Sequence, residues 1–212
     1  SIVVPVLNDA DALRRLLAWL APRLKGAVEV IVVDGGSSDG SVAVARDAPG
    51  FCRLLAGPRG RGAQLAHGIE RARGRWLWLL HADSLPSDDC LDHLLSLDDT
   101  PGWGRFSVRL RGGPLLPLVA RMMNLRSCVT GICTGDQGIY LHARLLAAIG
   151  GMPAQPLMED IELCRRLKRR APLQCRQETI ETSARRWLQR GTLRTVLVMW
   201  WYRLRYWFGA DP

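Results

Sequence analysis

The sequence predicts an α/β fold built on a mixed, mainly parallel sheet with helices on its faces. Through the first hundred residues, apolar β-branched runs alternate with segments whose apolar residues recur at helical spacing. This alternation is typical of a parallel sheet covered by helices on both sides. With 212 residues, of which 48% are hydrophobic and 23% charged, the chain can bury one core, and we expect a folded domain rather than a disordered chain.

The first half supplies most of the predicted elements. Strands are predicted at 2–7, 28–33, 52–55 and 76–80, with helices over about 9–25, 39–48 and 60–73 between them. The second half is less regular: strand-like segments at 104–110 and 138–141 lie on either side of the turn 112–114 and predict mixed strands with irregular loops. No repeat or linker indicates a second domain, so we predict one domain over residues 1–212.

The charge balance limits the classes of partner. Lys and Arg total 29 against 20 Asp and Glu, a net charge of +9, so the surface should attract anions such as nucleotide phosphates, nucleic acid, anionic lipid or a charged substrate. The basic residues are dispersed rather than collected in a tail, and we predict no nucleic-acid partner.

The six cysteines form no CxxC pair, which excludes a zinc ribbon and a thioredoxin-like site. We expect buried free thiols in a reducing cytoplasm. No signal-like segment opens the sequence, which agrees with a cytoplasmic location.

One apolar run ends abruptly at an acid. Val30 to Val33 lead into Asp34 and then into a glycine- and serine-rich loop. Open α/β sheets bind ligands outside the carboxyl ends of their strands, so a nucleotide would lie here. The alternative is an ordinary loop in which Ser38 or Asp39 caps the next helix.

Further acids follow later apolar segments. Asp83 follows a strand, and from there a carboxylate can reach a divalent cation that bridges two phosphates. His81 is a second ligand, a phosphate contact or a structural residue. Glu159 and Asp160 open an amphipathic helix, either as functional carboxylates or as acids favoured by the helix dipole.

A glycine- and arginine-rich segment, residues 57–68, lies between these acids. A helix that starts here would present free N–H groups to an anion, and Arg59 or Arg61 would add bidentate phosphate contacts. The segment lacks the Walker lysine pattern, and a flexible solvated loop has a similar composition.

The order of these motifs resembles the family 2 glycosyltransferases, which have the Rossmann-like GT-A fold. The resemblance rests on VPVLND, DGGSSDGS, GRGAQLAHG, LLHADS, TGDQG and MEDIELCRRL, and it covers nearly the whole chain. It implies a nucleotide-binding half at 1–100, an acceptor half at 101–186 and a C-terminal helical segment at 187–212.

The resemblance also implies roles for individual residues. Around the nucleotide it places Pro5, Asp34, Asp39, Arg61 and Gly62. His81-Ala82-Asp83 resembles the family's DxD motif with histidine in place of the first acid, which implies Mn²⁺ or Mg²⁺ at Asp83, with His81 beside it.

In the acceptor half, Glu159-Asp160 resembles the family's ED motif, which implies that Asp160 is the general base of an inverting reaction. Asp136 and Gln137, in the TGDQG loop, are expected to contact the donor sugar or the acceptor.

A narrower resemblance is to the short branch associated with arsenosugar and selenosugar biosynthesis, through LHAD, NLRS, TGDQ, PLMEDIE and SARRW. A selenosugar synthase would join selenophosphate to the anomeric carbon of a UDP-sugar. Such an anionic nucleophile needs positive groups, and the candidates are Arg109, Arg126, Arg185 and Arg186. The alternative for each arginine is ordinary surface charge.

The C-terminal end, from Trp187 onward, interleaves aromatic residues with arginine. It is too interrupted by arginine to span a bilayer. It fits a helix packed on the core or on a dimer partner, an amphipathic helix on an anionic membrane, or stacking on single-stranded nucleic acid, although no recognised nucleic-acid fold precedes it.

We therefore expect a cytoplasmic, metal-dependent inverting transferase. It would move a sugar from UDP-GlcNAc or UDP-glucose to a small anionic acceptor such as selenophosphate. Peripheral membrane contact or homodimerisation through the C-terminal segment would accompany this. The alternatives are transfer to a hydroxyl of a lipid or small metabolite, and a non-catalytic protein that binds nucleotide sugars.

Overall fold

The computed structural model describes residues 1–24, 26, 28–48, 50–153, 155 and 157–183, and the single positions 191, 198, 201 and 205. The strands in this part of the chain are β1 (Ile2–Val6), β2 (Val30–Asp34), β3 (Cys52–Ala56), β4 (Trp76–Leu79), β5 (Ser84–Pro86), β6 (Trp103–Leu110), β7 (Tyr140–His142) and β8 (Gln174–Thr182). The helices are α1 (Ala10–Leu20), α2 (Ser41–Arg46), α3 (Arg61–Ile69), α4 (Asp88–Ser96), α5 (Leu116–Thr130), α6 (Ala143–Ala148) and α7 (Glu159–Leu167). A short 3-10 turn covers Gly135–Gln137.

These strands form one sheet in the order β3-β2-β1-β4-β7-β6-β8-β5. β1 to β4 pair in parallel, as the alternation of strands and helices predicts. β7 runs antiparallel between β4 and β6, β8 is parallel to β6, and β5 is antiparallel to β8. The predicted mixed, mainly parallel sheet is confirmed. It is continuous from the first half of the chain into the second.

Helices cover both faces of the sheet. Ile2, Val4 and Val6 of β1 pack in one apolar cluster with α1, whereas Val3 packs in a second cluster on the opposite face with Leu65 of α3. Successive side chains of a strand point to opposite faces, so a nearly continuous apolar run is required to fill both clusters. This explains why the strand signal in the first half is strong.

The helix α5 differs from the irregular structure predicted for this region. Its buried residues are Leu116, Ala120, Met123 and Ser127. A second set of apolar side chains is exposed on or beside the same helix: Leu115, Leu118, Met122, Leu125 and Val129. Because apolar residues lie on both sides, the sequence has no single apolar face from which a helix is recognised. The helices α1 and α3 also end earlier than predicted, at Leu20 and Ile69.

The expectation that all six cysteines are free thiols is wrong for one pair. Cys128 of α5 and Cys175 of β8 form a disulfide, 47 residues apart in sequence and 5.9 Å between Cα atoms. The bond forms because α5 packs over β6 and β8. No local sequence pattern predicts that packing. The other cysteines are free: Cys52, Cys90, Cys133 and Cys164.

Arg185, Arg186 and the predicted C-terminal aromatic and basic helix lie outside the described residues, apart from four isolated positions of that segment. The described helices include none that is both long and apolar enough to cross a membrane.

Candidate active site

The loop that follows β2 is folded around the Asp34 carboxylate. Asp34 is the last residue of β2 and only 7% exposed. Its carboxylate oxygens accept the backbone N–H groups of Gly36 and Ser37 at 3.0 to 3.2 Å. Gly36 has a φ of +91°, in the region that favours glycine, which lets the chain turn back over the acid. Asp34 therefore fixes the shape of this loop.

A second contact set joins that loop to the end of β1. The Oδ1 atom of Asn8 accepts the N–H of Ser38 at 2.8 Å, and the Asn8 N–H donates to Ser37 Oγ at 2.9 Å. Asp39 accepts the N–H groups of Ala10 at 3.0 Å and Ser41 at 2.9 Å. Its hydrogen bonds with Ser41 lower the Asp39 pKa. Asp39 thus caps α1 and α2, the helices that follow β1 and β2. Helix capping is the alternative that the sequence predicts for this loop.

Gln64 of α3 holds these two strand ends together from below. Its Nε2 donates to the carbonyl oxygens of Val6 and Val33, each at 2.8 Å, and the side chain is 3% exposed. No sequence motif identifies Gln64 as important. The one sequence signal for its role is a glutamine among the sheet-facing residues of an apolar helix. Pro5 lies on β1 opposite Val33, one residue before this tie.

Arg61 connects the first half of the chain to the acids of the second. It is the first residue of α3, and its Nε donates to Glu159 Oε1 while its Nη2 lies 3.5 Å from Asp160 Oδ2. Burial alone would lower the pKa of Arg61, but the carboxylates of Asp160 and Glu159 outweigh burial and raise it. The three side chains form a charged cluster between the N-termini of α3 and α7.

Gly62 allows α3 and α7 to approach each other. A Cβ at this position would lie 3.1 Å from Glu159 Cγ and from the Gln155 carbonyl oxygen. Its observed role is therefore this close packing, which brings Arg61 to the acids. Contact of Gly62 with a nucleotide stays a prediction.

Asp160 is buried and fully engaged. The side chain accepts the Gly135 N–H at 3.0 Å and the N–H of Ile161 at 2.9 Å. Burial raises the pKa of the Asp160 carboxyl, and the charge of Arg61 opposes that effect in part. A carboxylate with a raised pKa is better suited to accept a proton than an ordinary surface aspartate.

The turn Gly135–Gln137 brings His81 to the same cluster. Asp136 Oδ1 lies 3.2 Å from His81 Nδ1, and a Cβ on Gly135 would collide with His81 Nε2. Both ring nitrogens therefore face the turn, which favours the structural interpretation of His81 over the metal ligand. Asp83, two residues on, is half-buried. Within the described residues, no group of three or more His, Cys, Asp or Glu is arranged to hold a metal ion.

The expectation that Gln137 contacts the sugar or the acceptor is wrong, because the side chain is 0% exposed. Its Nε2 donates to Asn124 Oδ1 and Ser127 Oγ at 3.2 and 3.0 Å, and its Oε1 accepts the Thr134 N–H at 3.2 Å. A side chain satisfied on all sides by the protein has no atom left for a ligand. Gln137 instead fastens the turn to α5.

The two described arginines of the acceptor half differ. Arg109 is exposed on β6 and lines a groove that it shares with Arg121 and Asn124 of α5. Arg126, on α5, is mostly buried, and Asp160 lies within electrostatic range of its guanidinium. Its Nε and Nη2 atoms are buried without a hydrogen-bond partner. Of the two, Arg126 is the arginine that the charge of Asp160 reaches.

The fold is similar to that of the GT-A glycosyltransferases. Staphylococcus aureus TarS, residues 1–349, solved in complex with UDP-GlcNAc, matches with a TM-score of 0.69 and 17% identity, over 87% of this chain and 58% of that one. Glucosyl-3-phosphoglycerate synthase from Mycobacterium tuberculosis, solved with Mn²⁺, UDP and glucosyl-3-phosphoglycerate, matches with a TM-score of 0.60 and 20% identity, over 86% of this chain and 69% of that one.

Sequence comparison points to the same class. Residues 1–102 match the model described as Glycosyl transferase family 2. An uncharacterized glycosyltransferase of Mycobacterium tuberculosis is 32% identical over 166 residues, which cover 71% of this chain. The chain spans 61% of that relative's length.

Proposed function

We propose that this chain is a glycosyltransferase that moves a sugar from UDP-GlcNAc or UDP-glucose to a small anionic acceptor, with inversion at the anomeric carbon. The observation that carries the proposal is the charged cluster of Arg61, Glu159 and Asp160. It joins the family-matched half of the chain to a buried carboxylate with a raised pKa in the second half. TarS was solved with UDP-GlcNAc, which supports the donor class.

In the proposed reaction, the bond between the anomeric carbon and the diphosphate oxygen breaks, and UDP leaves with the electron pair. The new bond forms from the acceptor atom to the opposite face of that carbon. Where the acceptor is a hydroxyl, its proton passes to Asp160, whose raised pKa suits this role. Asp34, Asp39 and Pro5 would bind the nucleoside end.

A divalent metal, Mn²⁺ or Mg²⁺, belongs to the proposal. Asp83 offers a hard carboxylate oxygen, and donor phosphates and water would complete the coordination shell, so few protein ligands are needed. His81 would join it only by turning away from Asp136, its neighbour at 3.2 Å. The metal would neutralise charge on the leaving diphosphate. The Mn²⁺ in glucosyl-3-phosphoglycerate synthase supports this part.

The charge of the acceptor is proposed from the charges of the protein. The net charge of +9 and the buried Arg126 favour an anion. Glucosyl-3-phosphoglycerate, found in the neighbouring structure, is itself an anionic glycoside. Selenophosphate belongs to the same acceptor class, and as an anion it would attack without a base. Transfer to a neutral hydroxyl is the second candidate, favoured by the raised pKa of Asp160.

The cytoplasmic location remains a proposal. The disulfide between Cys128 and Cys175 is the observation that counts against it, because disulfides are rare in a reducing compartment.

Release of UDP tests the proposed function. The assay combines each UDP-sugar and Mn²⁺ with phosphorylated hydroxyl acceptors, neutral hydroxyl acceptors or selenophosphate. The variants are Asp160→Asn and the matched control Glu162→Gln, which removes a charge from the same helix at a residue paired with Arg166. We expect UDP release only with an anionic acceptor, and wild-type turnover for Glu162→Gln.

The Asp160→Asn variant identifies the nucleophile. A loss of about 10²- to 10⁴-fold indicates a hydroxyl whose proton Asp160 accepts, and near-normal turnover indicates an acceptor that is already deprotonated. Absence of UDP release under all conditions contradicts the enzyme and leaves a protein that only binds nucleotide sugars.

A further inference from the structure

Two buried groups next to the charged cluster have donors that find no acceptor among the described residues. They are the Nε and Nη2 atoms of Arg126 and the hydroxyl of Thr134, whose oxygen faces the Gln137 N–H in the capping box of the turn. Buried donors are normally satisfied by protein or by ordered water, and an unsatisfied guanidinium is especially costly. Both groups belong to the part of the molecule that surrounds Asp160. An oxygen atom of a bound water or ligand would satisfy these donors.

Their positions relative to Asp160 follow from the described contacts. Thr134 directly precedes Gly135, whose N–H donates to Asp160 at 3.0 Å. The guanidinium of Arg126 lies within electrostatic range of Cys133 and Asp160. The two orphan groups are thus connected to the same carboxylate, one along the chain and the other through space.

The surrounding hydrogen bonds hold α5 and the turn in a fixed relation. Gln137 donates to Asn124 and Ser127 of α5, two residues before Arg126 and one after it. The same side chain accepts the N–H of Thr134. Arg126 and Thr134 are therefore set in place before any ligand arrives, which lowers the entropic cost of binding.

The charges around these groups decide whether an anion can bind there. Glu159 and Asp160 would repel an anion, but Arg61 is paired with both of them. Among the described residues, no carboxylate pairs with the Nε and Nη2 atoms of Arg126, so this N–H fork can bind another acceptor. A guanidinium fork matches the two oxygens of a phosphate or carboxylate, and a threonine hydroxyl can donate to a third oxygen.

We propose that Arg126 and Thr134 form an oxyanion site that holds the charged group of the acceptor beside Asp160. The inference rests on the proposed function and deepens it by assigning the residues that select an anionic acceptor. Arg126 binds the phosphate or carboxylate oxygens, and Thr134 Oγ donates to the same group. An acceptor anchored in this way has its nucleophilic atom directed toward the carboxylate of Asp160.

Calorimetric titration with inorganic phosphate, and separately with acetate, tests the site. Both titrations use the protein with UDP and Mn²⁺ present. The variants are Arg126→Met and Thr134→Val, with Arg121→Met as the matched control on the exposed side of the same helix. We expect at least one of the two anions to bind. Arg126→Met should raise its Kd by about tenfold or more, and Thr134→Val by a smaller factor. Arg121→Met should bind as the wild type does.

Two further readouts separate this site from a structural role and from the proposed function. Because Nε and Nη2 of Arg126 bind no acceptor in the described part of the chain, Arg126→Met should keep the wild-type midpoint of thermal unfolding or raise it, whereas loss of a structural residue would lower it. Titration with UDP should be unchanged in all three variants. If UDP binds but neither anion does, or if Arg126→Met binds both as the wild type does, the oxyanion site is overturned. If UDP fails to bind, the proposed function itself fails.

Discussion

Asp160 lies in an environment unlike that of an ordinary surface acid. It lies at the start of α7, where two backbone N–H groups and Arg61 face it, yet burial is the larger influence and raises its pKa above the usual 3.8. Its neighbour Glu159 is 2% exposed and binds Arg61 directly. Glu159 therefore holds Arg61 in position. The raised pKa of Asp160 suits the proton transfer that we propose for it.

The raised pKa predicts how stability changes with pH. A carboxyl with a higher pKa in the folded state binds more protons folded than unfolded, so the free energy of unfolding falls as pH rises through that window. We expect urea unfolding between about pH 4 and about pH 7 to show wild type losing stability relative to Asp160→Asn, by roughly 1.4 kcal/mol for each unit of pKa shift. A difference that is flat with pH, or that grows in the opposite direction, would show that Asp160 titrates as a surface acid.

At the scale of elements, the positions of the acids could be predicted but their connections could not. Asp34 and Glu159-Asp160 are visible because an apolar run ends at the first and an amphipathic helix begins at the others. The ion pair of Arg61 with Glu159 spans 98 residues of sequence. Gln64 likewise binds two carbonyls whose proximity exists only after β1 and β2 have paired. Such contacts follow from the sheet order, which local periodicity does not encode.

Replacement of Gln64 tests the tie between the ends of β1 and β2. In Gln64→Leu the carbonyl oxygens of Val6 and Val33 lose their side-chain donor, and the ends of β1 and β2 lose their tie. We expect a loss of about 1–3 kcal/mol in the free energy of unfolding, measured by urea denaturation, because buried acceptors are left unsatisfied. Gln177→Leu, at an exposed position of β8, is the control and should stay within about 0.5 kcal/mol of wild type. Equal stability of the two variants would show that Gln64 does not join the strand ends.

At the scale of the whole molecule, one sheet joins the two halves of the chain. Parallel β1 to β4 bring the Asp34 loop and the segment after β4 to one edge, as their alternation with helices predicts. The second half was harder to predict, because α5 is apolar on both sides and the disulfide joins distant residues. The second half of the chain supplies Arg126, the turn Gly135–Gln137 and the acids Glu159 and Asp160.

If the strand ends beside Asp34 bind the nucleoside diphosphate of a sugar donor, as we propose, calorimetric titration should detect UDP binding in the presence of Mn²⁺. We predict one UDP per chain. Asp34→Asn should weaken binding by about tenfold or more, because the carboxylate that shapes the loop loses its charge. Asp47→Asn, an exposed acid at the end of α2, should bind as wild type does. Absence of UDP binding at about 1 mM, or equal affinity of wild type and Asp34→Asn, would contradict the claim.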